Sequence, residues 1–401
     1  MSLISFENEL DFLLNEPVES VHHRENCAFD EMAAPFEKSL VLFGAGGLGR
    51  KTLKGLRQIG MEPLAFADNN PALWGTTVDG VRVLSVQDAA RKHGKSAAFV
   101  ITIWRGESTD TMPERQQQLL NLNCSRVIPF GFLYWKYPSI FLPHYAVDLP
   151  HKVFENTSEI KSVLSLWEDS ASRQEYLAQM KWRILMDFYG LPSPVSHETY
   201  FPLDLIEIKD DEIFVDCGAY DGDTIRKLIE SKNGKIGGIV AFEPDPSNYS
   251  KLKQSVEQLP NGIKNKIILL QKATGAHKGK VLFNAAGNEA SSVIFNGNCE
   301  VDCVALDEEL KQTEFSFLKM DIEGSEVETL LGAKEVIKKN LPVLAVCAYH
   351  QQSHVWEIPS LINSISDQYR FFLRPHLLEV WDLVCYAIPV HRLKKMSSLN
   401  A

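Results

Sequence analysis

Acidic side chains alternate with glycines directly after an apolar run in the middle of the chain. The run Ile213-Phe-Val-Asp216 leads into Cys-Gly-Ala-Tyr-Asp-Gly-Asp-Thr224. In open α/β folds, a strand that ends in a glycine turn before a helix brings its backbone close to a ligand at the carboxyl end of the sheet. Acids in this turn would repel a pyrophosphate but attract a sulfonium and an ammonium group. We therefore predict that the turn binds S-adenosylmethionine, which has no phosphate.

Three later apolar segments are predicted as further strands of the same sheet, at 239–246, 267–273 and 315–326. Glu243, at the tip of the first, lies about 20 residues after the glycine turn, where an acid can bind both ribose hydroxyls. Lys272 and Ala273 end the second segment and are expected to border the adenine. Gly218 and Gly222 are expected to leave room for the ligand. The predicted cofactor-binding residues are Asp216, Gly218, Ala219, Tyr220, Asp221, Gly222, Asp223, Thr224, Glu243, Pro244, Lys272, Ala273 and Asp321.

Methyl transfer to a hydroxyl also needs a group that accepts the hydroxyl proton. His350 ends a fifth predicted strand, 342–350, and an unperturbed imidazole titrates near neutral pH, so we predict that His350 is the base. Asp321 and Glu323 alternate after an apolar strand, which places both acids on one side while the strand continues. Asp321 is expected to approach the sulfonium. Glu323 is expected to contact the acceptor or to bond the turn.

These segments resemble a known family. Val215–Thr224, Phe242–Asp245 and Lys319–Glu326 together are similar to the FkbM family of S-adenosylmethionine-dependent methyltransferases, over roughly residues 200 to 390. The resemblance implies a class I methyltransferase fold with a mostly parallel sheet and S-adenosylhomocysteine as the product. It also places a tyrosine-containing segment, 200–205, where a lid could cover the donor. The family commonly has an acid two residues before His350, whereas this chain has Ala348, so a metal or an acid–histidine pair is not inferred.

A second glycine loop lies near the start of the chain. Gly44, Gly46 and Gly49 follow a short apolar strand, and Asp68 lies about 20 residues further on at the position that binds ribose in dinucleotide folds. The surrounding segment resembles the small Rossmann-like domain of nucleotide-sugar enzymes, which implies a bound nucleotide or nucleotide-sugar. Two alternatives remain: the loop serves only helix–sheet packing, or it belongs to an NAD(P)-dependent dehydrogenase.

Length and composition favour an acidic enzyme with more than one domain. The 401 residues exceed the usual size of one core, and the formal net charge of −11 argues against nucleic-acid binding. No apolar run approaches the about 18 residues of a membrane span, and the amino terminus lacks a basic signal start, so we expect a cytoplasmic protein without membrane contact. The 7 cysteines form no CxxC pair, and no metal ligands are predicted. The oligomeric state, a homo-oligomer included, is left open.

The predicted architecture is α/β, with two Rossmann-like three-layer domains. The predicted ranges are 1–130 for the amino-terminal domain, 131–199 for a helical connecting region and 200–395 for the methyltransferase domain. The predicted reaction is O-methylation of a hydroxyl on a sugar, glycan or secondary metabolite. Two other functions stay open: an NAD(P)-dependent oxidoreductase acting through the first glycine loop, and a non-catalytic protein that binds a sugar nucleotide.

Overall fold

The structure is a computed structural model that describes residues 3–196, 198–284, 292–293 and 299–394. The chain forms two compact units that interleave along the sequence. The first comprises Met1–Lys161, Gln174–Pro194 and Leu377–Trp381, and the second comprises Ser162–Arg173, Val195–His376 and Asp382–Ala401. Residues 131–199, predicted as a connecting region, therefore divide between both units. Within the described part of the chain, no helix is both long and apolar enough to cross a membrane.

The first unit contains a six-stranded sheet in the order β3-β4-β2-β1-β5-β6. All neighbouring strands are parallel except β3, which runs antiparallel to β4. The central strands are buried along their whole length, as continuous apolar runs in parallel sheets usually are. The strands are β1 Leu40–Phe43, β2 Ala65–Asp68, β3 Thr77–Val78, β4 Val81–Ser85, β5 Ala98–Ile101 and β6 Val127–Pro129.

Helices cover much of the first 190 residues, and two of them precede β1. They are α1 Leu3–Leu14, α2 Val18–Ala33, α3 Gly47–Gln58, α4 Val86–His93, α5 Met112–Asn121, α6 Phe130–Lys136, α7 Pro138–Phe141, α8 His151–Glu155, α9 Thr157–Leu164 and α10 Ser170–Leu185. Within residues 131–199, predicted as a helical connecting region, helix is therefore interrupted after Leu164 and resumes at Ser170.

The second unit contains a seven-stranded sheet in the order β16-β17-β15-β14-β7-β8-β9. In this sheet β17 alone runs in the opposite direction to the other six strands. This order confirms the predicted class I methyltransferase fold. The seven strands are β7 Ile213–Cys217, β8 Gly238–Phe242, β9 Ile267–Leu270, β14 Phe317–Met320, β15 Val343–Cys347, β16 Tyr369–Pro375 and β17 Leu383–Pro389.

A smaller four-stranded sheet, in the order β10-β13-β11-β12, lies in the same unit. Its strands are β10 Ala273–Thr274, β11 Gly279–Asn284, β12 Ser292–Val293 and β13 Cys299–Val304. The single strand predicted over 267–273 is therefore wrong. The sheet strand ends at Leu270, and Ala273 pairs with Cys303 in the smaller sheet. The helices of the unit are α11 Asp223–Ser231, α12 Pro246–Glu257, α13 Asn261–Lys264, α14 Leu306–Glu309, α15 Glu326–Leu331, α16 Lys334–Asn340 and α17 His354–Ile365.

The strand order reverses between β7 and β14, and this is where open α/β sheets bind ligands. Two loops cross closely at this point. Gly218, directly after β7, has a φ of +85°, and a Cβ there would lie 1.8 Å from the carbonyl oxygen of Asp321. The contact between the two backbones therefore requires a glycine here, and the ligand clearance that the sequence predicted for it stays a prediction.

Replacing Gly218 with alanine should destabilise the second unit. The Cβ would clash with the Asp321 backbone at an unfavourable φ, so we expect a loss of at least about 1 kcal/mol in the free energy of unfolding. Denaturant unfolding would measure it. Gly262→Ala is the matched control, because no atom lies within 4 Å of its would-be Cβ. Equal stability of the two variants would contradict the close approach of the loops.

Candidate functional site

The predicted site residues meet at one edge of the seven-stranded sheet. Asp216 lies within β7, Glu243 follows β8, Asp321 follows β14, and His350 comes three residues after β15. Because these strands are parallel, their carboxyl ends lie side by side. The structure therefore brings these acids and the histidine to the edge that the sequence predicted.

Asp216 pairs with a lysine of the same unit. Its side chain is fully buried, and Lys319 Nζ lies 3.0 Å from its Oδ1 across the β7–β14 pair. Burial raises the pKa of Asp216 to about 6, partly offset by Lys319. Burial also opposes the charge on Lys319, but Asp216 and Asp321 outweigh it and raise the pKa of the lysine. The acid predicted to attract a ligand cation is thus neutralised by the protein itself.

Lys319 makes two further contacts at the same point. Its Nζ donates to the Gly218 carbonyl at 2.6 Å and lies 5.1 Å from the centre of the Tyr200 ring. The lysine therefore joins the end of β7, the middle of β14 and the segment that precedes the sheet.

The remaining acids of the glycine turn also have structural roles. Asp221 pairs with Arg226 at 2.9 Å, and Asp223 begins α11, where a carboxylate is favoured by the helix dipole. Gly222 precedes α11 in the left-handed region with a φ of +86°. Two of the three predicted acids, Asp216 and Asp221, are thus paired with basic side chains of the chain. The contact of these two acids with a cationic ligand stays a prediction.

Glu243 has the position expected of a ribose ligand. Its two carboxylate oxygens accept hydrogen bonds from the Tyr220 and Asp245 amides, each at 2.8 Å. Each oxygen keeps a further lone pair. Burial raises the pKa of Glu243 to about 7, although the two amides oppose the shift. The amides fix the carboxylate at the tip of β8, beside the glycine turn.

The other predicted cofactor residues are distributed around this edge. Ala219 and Thr224 are buried. Tyr220 adopts a φ of +50° in the turn, and Lys251 Nζ lies 5.4 Å from the centre of its ring. Pro244 follows Glu243, before α12. Lys272 forms an ion pair with Glu309 at 2.8 Å. Since Lys272 follows the end of β9 and is engaged by Glu309, its contact with an adenine stays a prediction.

His350 lies among three carboxylates. Its Nδ1 is 2.8 Å from Glu326 Oε1, while its Nε2 is 3.4 Å from Asp321 Oδ1 and 3.7 Å from Glu323 Oε1. Glu326 in turn accepts hydrogen bonds from the Ile322 and Gly324 amides at 2.9 and 3.1 Å. This fully buried glutamate therefore closes the turn and orients the imidazole.

The electrostatics of His350 differ from the sequence expectation. Burial disfavours the charged imidazole, but Glu326 and Glu323 outweigh it and raise the pKa of His350 well above its usual value. For Glu326, His350 outweighs the opposing effect of burial and lowers the pKa to about 2. The neighbouring glutamates therefore favour the protonated form of the imidazole. The pKa of His350 is not the unperturbed value that the sequence analysis assumed, and its role as the base stays a prediction.

Asp321 and Glu323 reach this cluster by a turn and not by continued strand alternation. The strand β14 ends at Met320, and Glu323 has a φ of +54°. Tyr200 donates its hydroxyl to Asp321 Oδ2 at 2.7 Å. Burial raises the pKa of Glu323, against the opposing influence of His350. Both side chains are partly exposed, so they present carboxylates to a ligand at the edge.

The cluster also has a spacing found in metal sites. One ligand atom each from Asp321, Glu326 and His350 lies within 4.8 Å of the others. Glu326, however, is already engaged by two amides and the imidazole. We assign no metal to this cluster, and the sequence expectation of a metal-free site stays a prediction.

The first glycine loop is occupied by contacts within its own unit. Asp68 accepts the Ala45 amide through Oδ2 and the Asn70 amide through Oδ1, each at 2.8 Å. A Cβ on Gly49 would lie 2.0 Å from the Gly44 carbonyl oxygen, whereas Gly46 has open space around it. These contacts favour the packing interpretation of the loop. Nucleotide binding there, and the resemblance to nucleotide-sugar enzymes, stay predictions.

Sequence reasoning missed the roles of Lys319 and Glu326. A signal existed for Lys319: a lysine inside the apolar run Phe317–Met320 must be buried, and a buried ammonium requires an acid on a neighbouring strand. For Glu326, no local signal separates an acid that stabilises a helix terminus from one that binds a distant histidine.

Comparisons with known proteins agree with this geometry. Residues 216–374 match the family model of the methyltransferase FkbM domain. The crystal structure of a methyltransferase FkbM from Methylobacillus flagellatus KT is similar at a TM-score of 0.75 and 22% identity, over 96% of this chain and 98% of that chain. This likeness shows a shared fold. Among curated proteins no match was found.

Two further solved structures are similar only at low TM-scores. An rRNA methylase from Streptococcus thermophilus has a TM-score of 0.27 and 15% identity, over 45% of this chain and 86% of that chain. An S-adenosylhomocysteine-bound methyltransferase from Podospora anserina has a TM-score of 0.28 and 10% identity, over 71% of this chain and 99% of that chain. Similarity at TM-scores this low supports no conclusion about the fold or the function of this chain.

Removing the buried lysine should be strongly destabilising. Lys319→Met leaves Asp216 buried without its cation, so we expect a loss of about 3 to 5 kcal/mol in the free energy of unfolding. Denaturant unfolding would test this. The double variant Asp216→Asn with Lys319→Met should recover most of the loss, and the exposed control Lys338→Met should show almost none. A double variant as unstable as Lys319→Met would show that the ion pair is not the cause.

Proposed function

We propose that this protein, whose residues 216–374 match the family model of the methyltransferase FkbM domain, is an S-adenosylmethionine-dependent methyltransferase that methylates a hydroxyl of a sugar or a related metabolite. The observation that carries the proposal is the convergence of Glu243, Asp321 and Glu323 at the point where the strand order reverses. These carboxylates remain for a ligand after Asp216 and Asp221 have been paired within the chain.

The residues at this edge fit the donor. Glu243 presents lone pairs that a ribose diol can use, because its backbone amide partners occupy only one position on each oxygen. Asp321 is fixed by Tyr200 and is partly exposed, so its negative charge can face a sulfonium or an ammonium. Tyr200 belongs to segment 200–205, which the family resemblance placed as a lid over the donor. It is buried and holds an acid in position.

The proton of the acceptor requires a base, and the structure favours Glu323 over His350. When bound, S-adenosylmethionine supplies a methyl group on a cationic sulfur, which keeps the bond electrons as the methyl leaves. Glu323 takes the proton of the acceptor hydroxyl while the oxygen–methyl bond forms. Its raised pKa makes it a stronger base than an ordinary carboxylate, whereas a protonated His350 has no site for that proton. His350 keeps the two acids side by side by placing a positive charge between them.

The same charges define the class of acceptor. A carboxylate-rich edge repels a phosphate placed near the reacting atom, so the methylated part of the acceptor is neutral or cationic. A sugar hydroxyl meets this condition, on a glycan or on a metabolite whose charged groups lie away from the edge. The cysteines are free, which suits a reducing compartment, and we place the protein in the cytoplasm.

Binding of S-adenosylmethionine should strengthen as the pH rises through neutrality. The pKa of Glu243 is about 7, and the carboxylate form accepts both ribose hydroxyls. Its fraction rises about tenfold from pH 6 to pH 8, so we expect the dissociation constant to fall by up to about tenfold over that range. Calorimetric titration at several pH values would measure it. Glu243→Gln should bind weakly with no such dependence, and a pH dependence that survives in this variant would contradict the assignment.

Removing the proposed base should impair turnover without impairing donor binding. For Glu323→Gln we expect turnover to fall by about 100-fold or more, because a positioned base contributes at least that factor. The affinity for S-adenosylmethionine should stay within about threefold, since a change of that size is below 1 kcal/mol. Formation of S-adenosylhomocysteine with a panel of sugar acceptors would report turnover.

The matched control is Glu328→Gln, an exposed acid on the same short helix as Glu326. It removes the same charge without touching the cluster and should leave turnover unchanged. If Glu323→Gln retained full turnover with an acceptor that the intact enzyme methylates, the base would have to be another group.

A further inference from the structure

Two histidines and a glutamate converge in the first unit, away from the methyltransferase edge. His22 Nδ1 lies 3.1 Å from Glu25 Oε2, and His151 Nδ1 lies 3.0 and 3.1 Å from the two Glu25 oxygens. One ligand atom from each side chain lies within 4.8 Å of the other two. His22 and Glu25 come from one face of α2, at a spacing of three residues, and His151 begins α8.

These separations are hydrogen-bond distances, and they also match those of two atoms that share a metal ion. Two ligands bound at about 2.0 to 2.2 Å, at the angles of tetrahedral or octahedral coordination, lie about 3.0 to 3.4 Å apart. The nitrogen–oxygen distances in the cluster, 3.0 to 3.1 Å, fall in this range.

The charge balance also favours a cation. Glu25 is only 4% exposed, which is rare for a carboxylate. Among the described residues, its side-chain partners are the two imidazoles, and its Oε1 also accepts the His151 amide. Neither imidazole is a permanent cation as a lysine or arginine would be. A buried carboxylate without a full positive charge beside it is costly.

We propose that His22, Glu25 and His151 bind one divalent transition-metal ion of the zinc class. Two imidazole nitrogens and one carboxylate suit such an ion better than magnesium or calcium, which prefer oxygen ligands. The ion takes the place of the protons between Nδ1 and the carboxylate, and each ring then carries its proton on Nε2. His22 is half exposed, so water can fill the remaining positions. The ion ties α2 to the start of α8 and stabilises the first unit.

Cobalt titration of the chelator-treated full-length protein tests the proposal. Co²⁺ gives a visible absorption band in a nitrogen–oxygen site, and we expect one equivalent to bind and one equivalent of Zn²⁺ to displace it. His22→Ala and His151→Ala should each weaken binding at least tenfold. The control is His23→Ala: His23 is the next residue on α2, is exposed and pairs with Glu31 at 2.8 Å. This variant should bind cobalt like the intact protein.

Two readouts separate this site from others. Asp321→Asn should leave the cobalt titration unchanged, because that residue belongs to the methyltransferase edge. Zn²⁺ should raise the melting temperature of the intact protein and of His23→Ala, but not that of His22→Ala. Because His22 is half exposed, its replacement should not cause a misfolding that could account for this difference. Absence of stoichiometric uptake, or an equal loss in His23→Ala, would overturn the proposal, whatever the outcome for methyl transfer.

Discussion

The buried pair of Lys319 with Asp216 is the constraint on which the methyltransferase edge depends. Two charges removed from water are tolerated only when their geometry and their remaining hydrogen bonds are satisfied. On the lysine side, Lys319 contacts Asp216, donates to the Gly218 carbonyl and lies over the ring of Tyr200 at once. The pair therefore fixes β7, β14 and the glycine turn that follows β7, at the point where the strand order reverses.

This pair also divides the acids into two groups with different tasks. Asp216 pairs with Lys319 inside the sheet, whereas Asp321 and Glu323 are partly exposed at the edge, where we propose that they face a ligand. Behind them, Glu326 orients His350, whose raised pKa favours a positive charge between two carboxylates that would otherwise repel each other. The site thus has a buried ion pair and a buried histidine, and both support the partly exposed carboxylates of Asp321 and Glu323.

The sequence predicted the strands, their edge and the fold because apolar runs ending in glycine or acid are local signals. It could not predict which acids are neutralised, because Asp216 meets Lys319 only through strand pairing. The pKa of His350 depends in the same way on glutamates brought together by a turn. The strand predicted through Ala273 was wrong because an apolar run does not reveal that the chain changes sheets after Leu270. The His22, Glu25 and His151 cluster joins two distant segments and left no motif.

The most direct test of the account is a crystal structure of the protein with S-adenosylhomocysteine. We predict that the ribose hydroxyls bond Glu243 and that the sulfur faces Asp321, with Lys319 still bonded to Asp216. A ligand whose amino group bonds Asp216 after displacing Lys319, or whose ribose lies on Asp68 in the first unit, would contradict it.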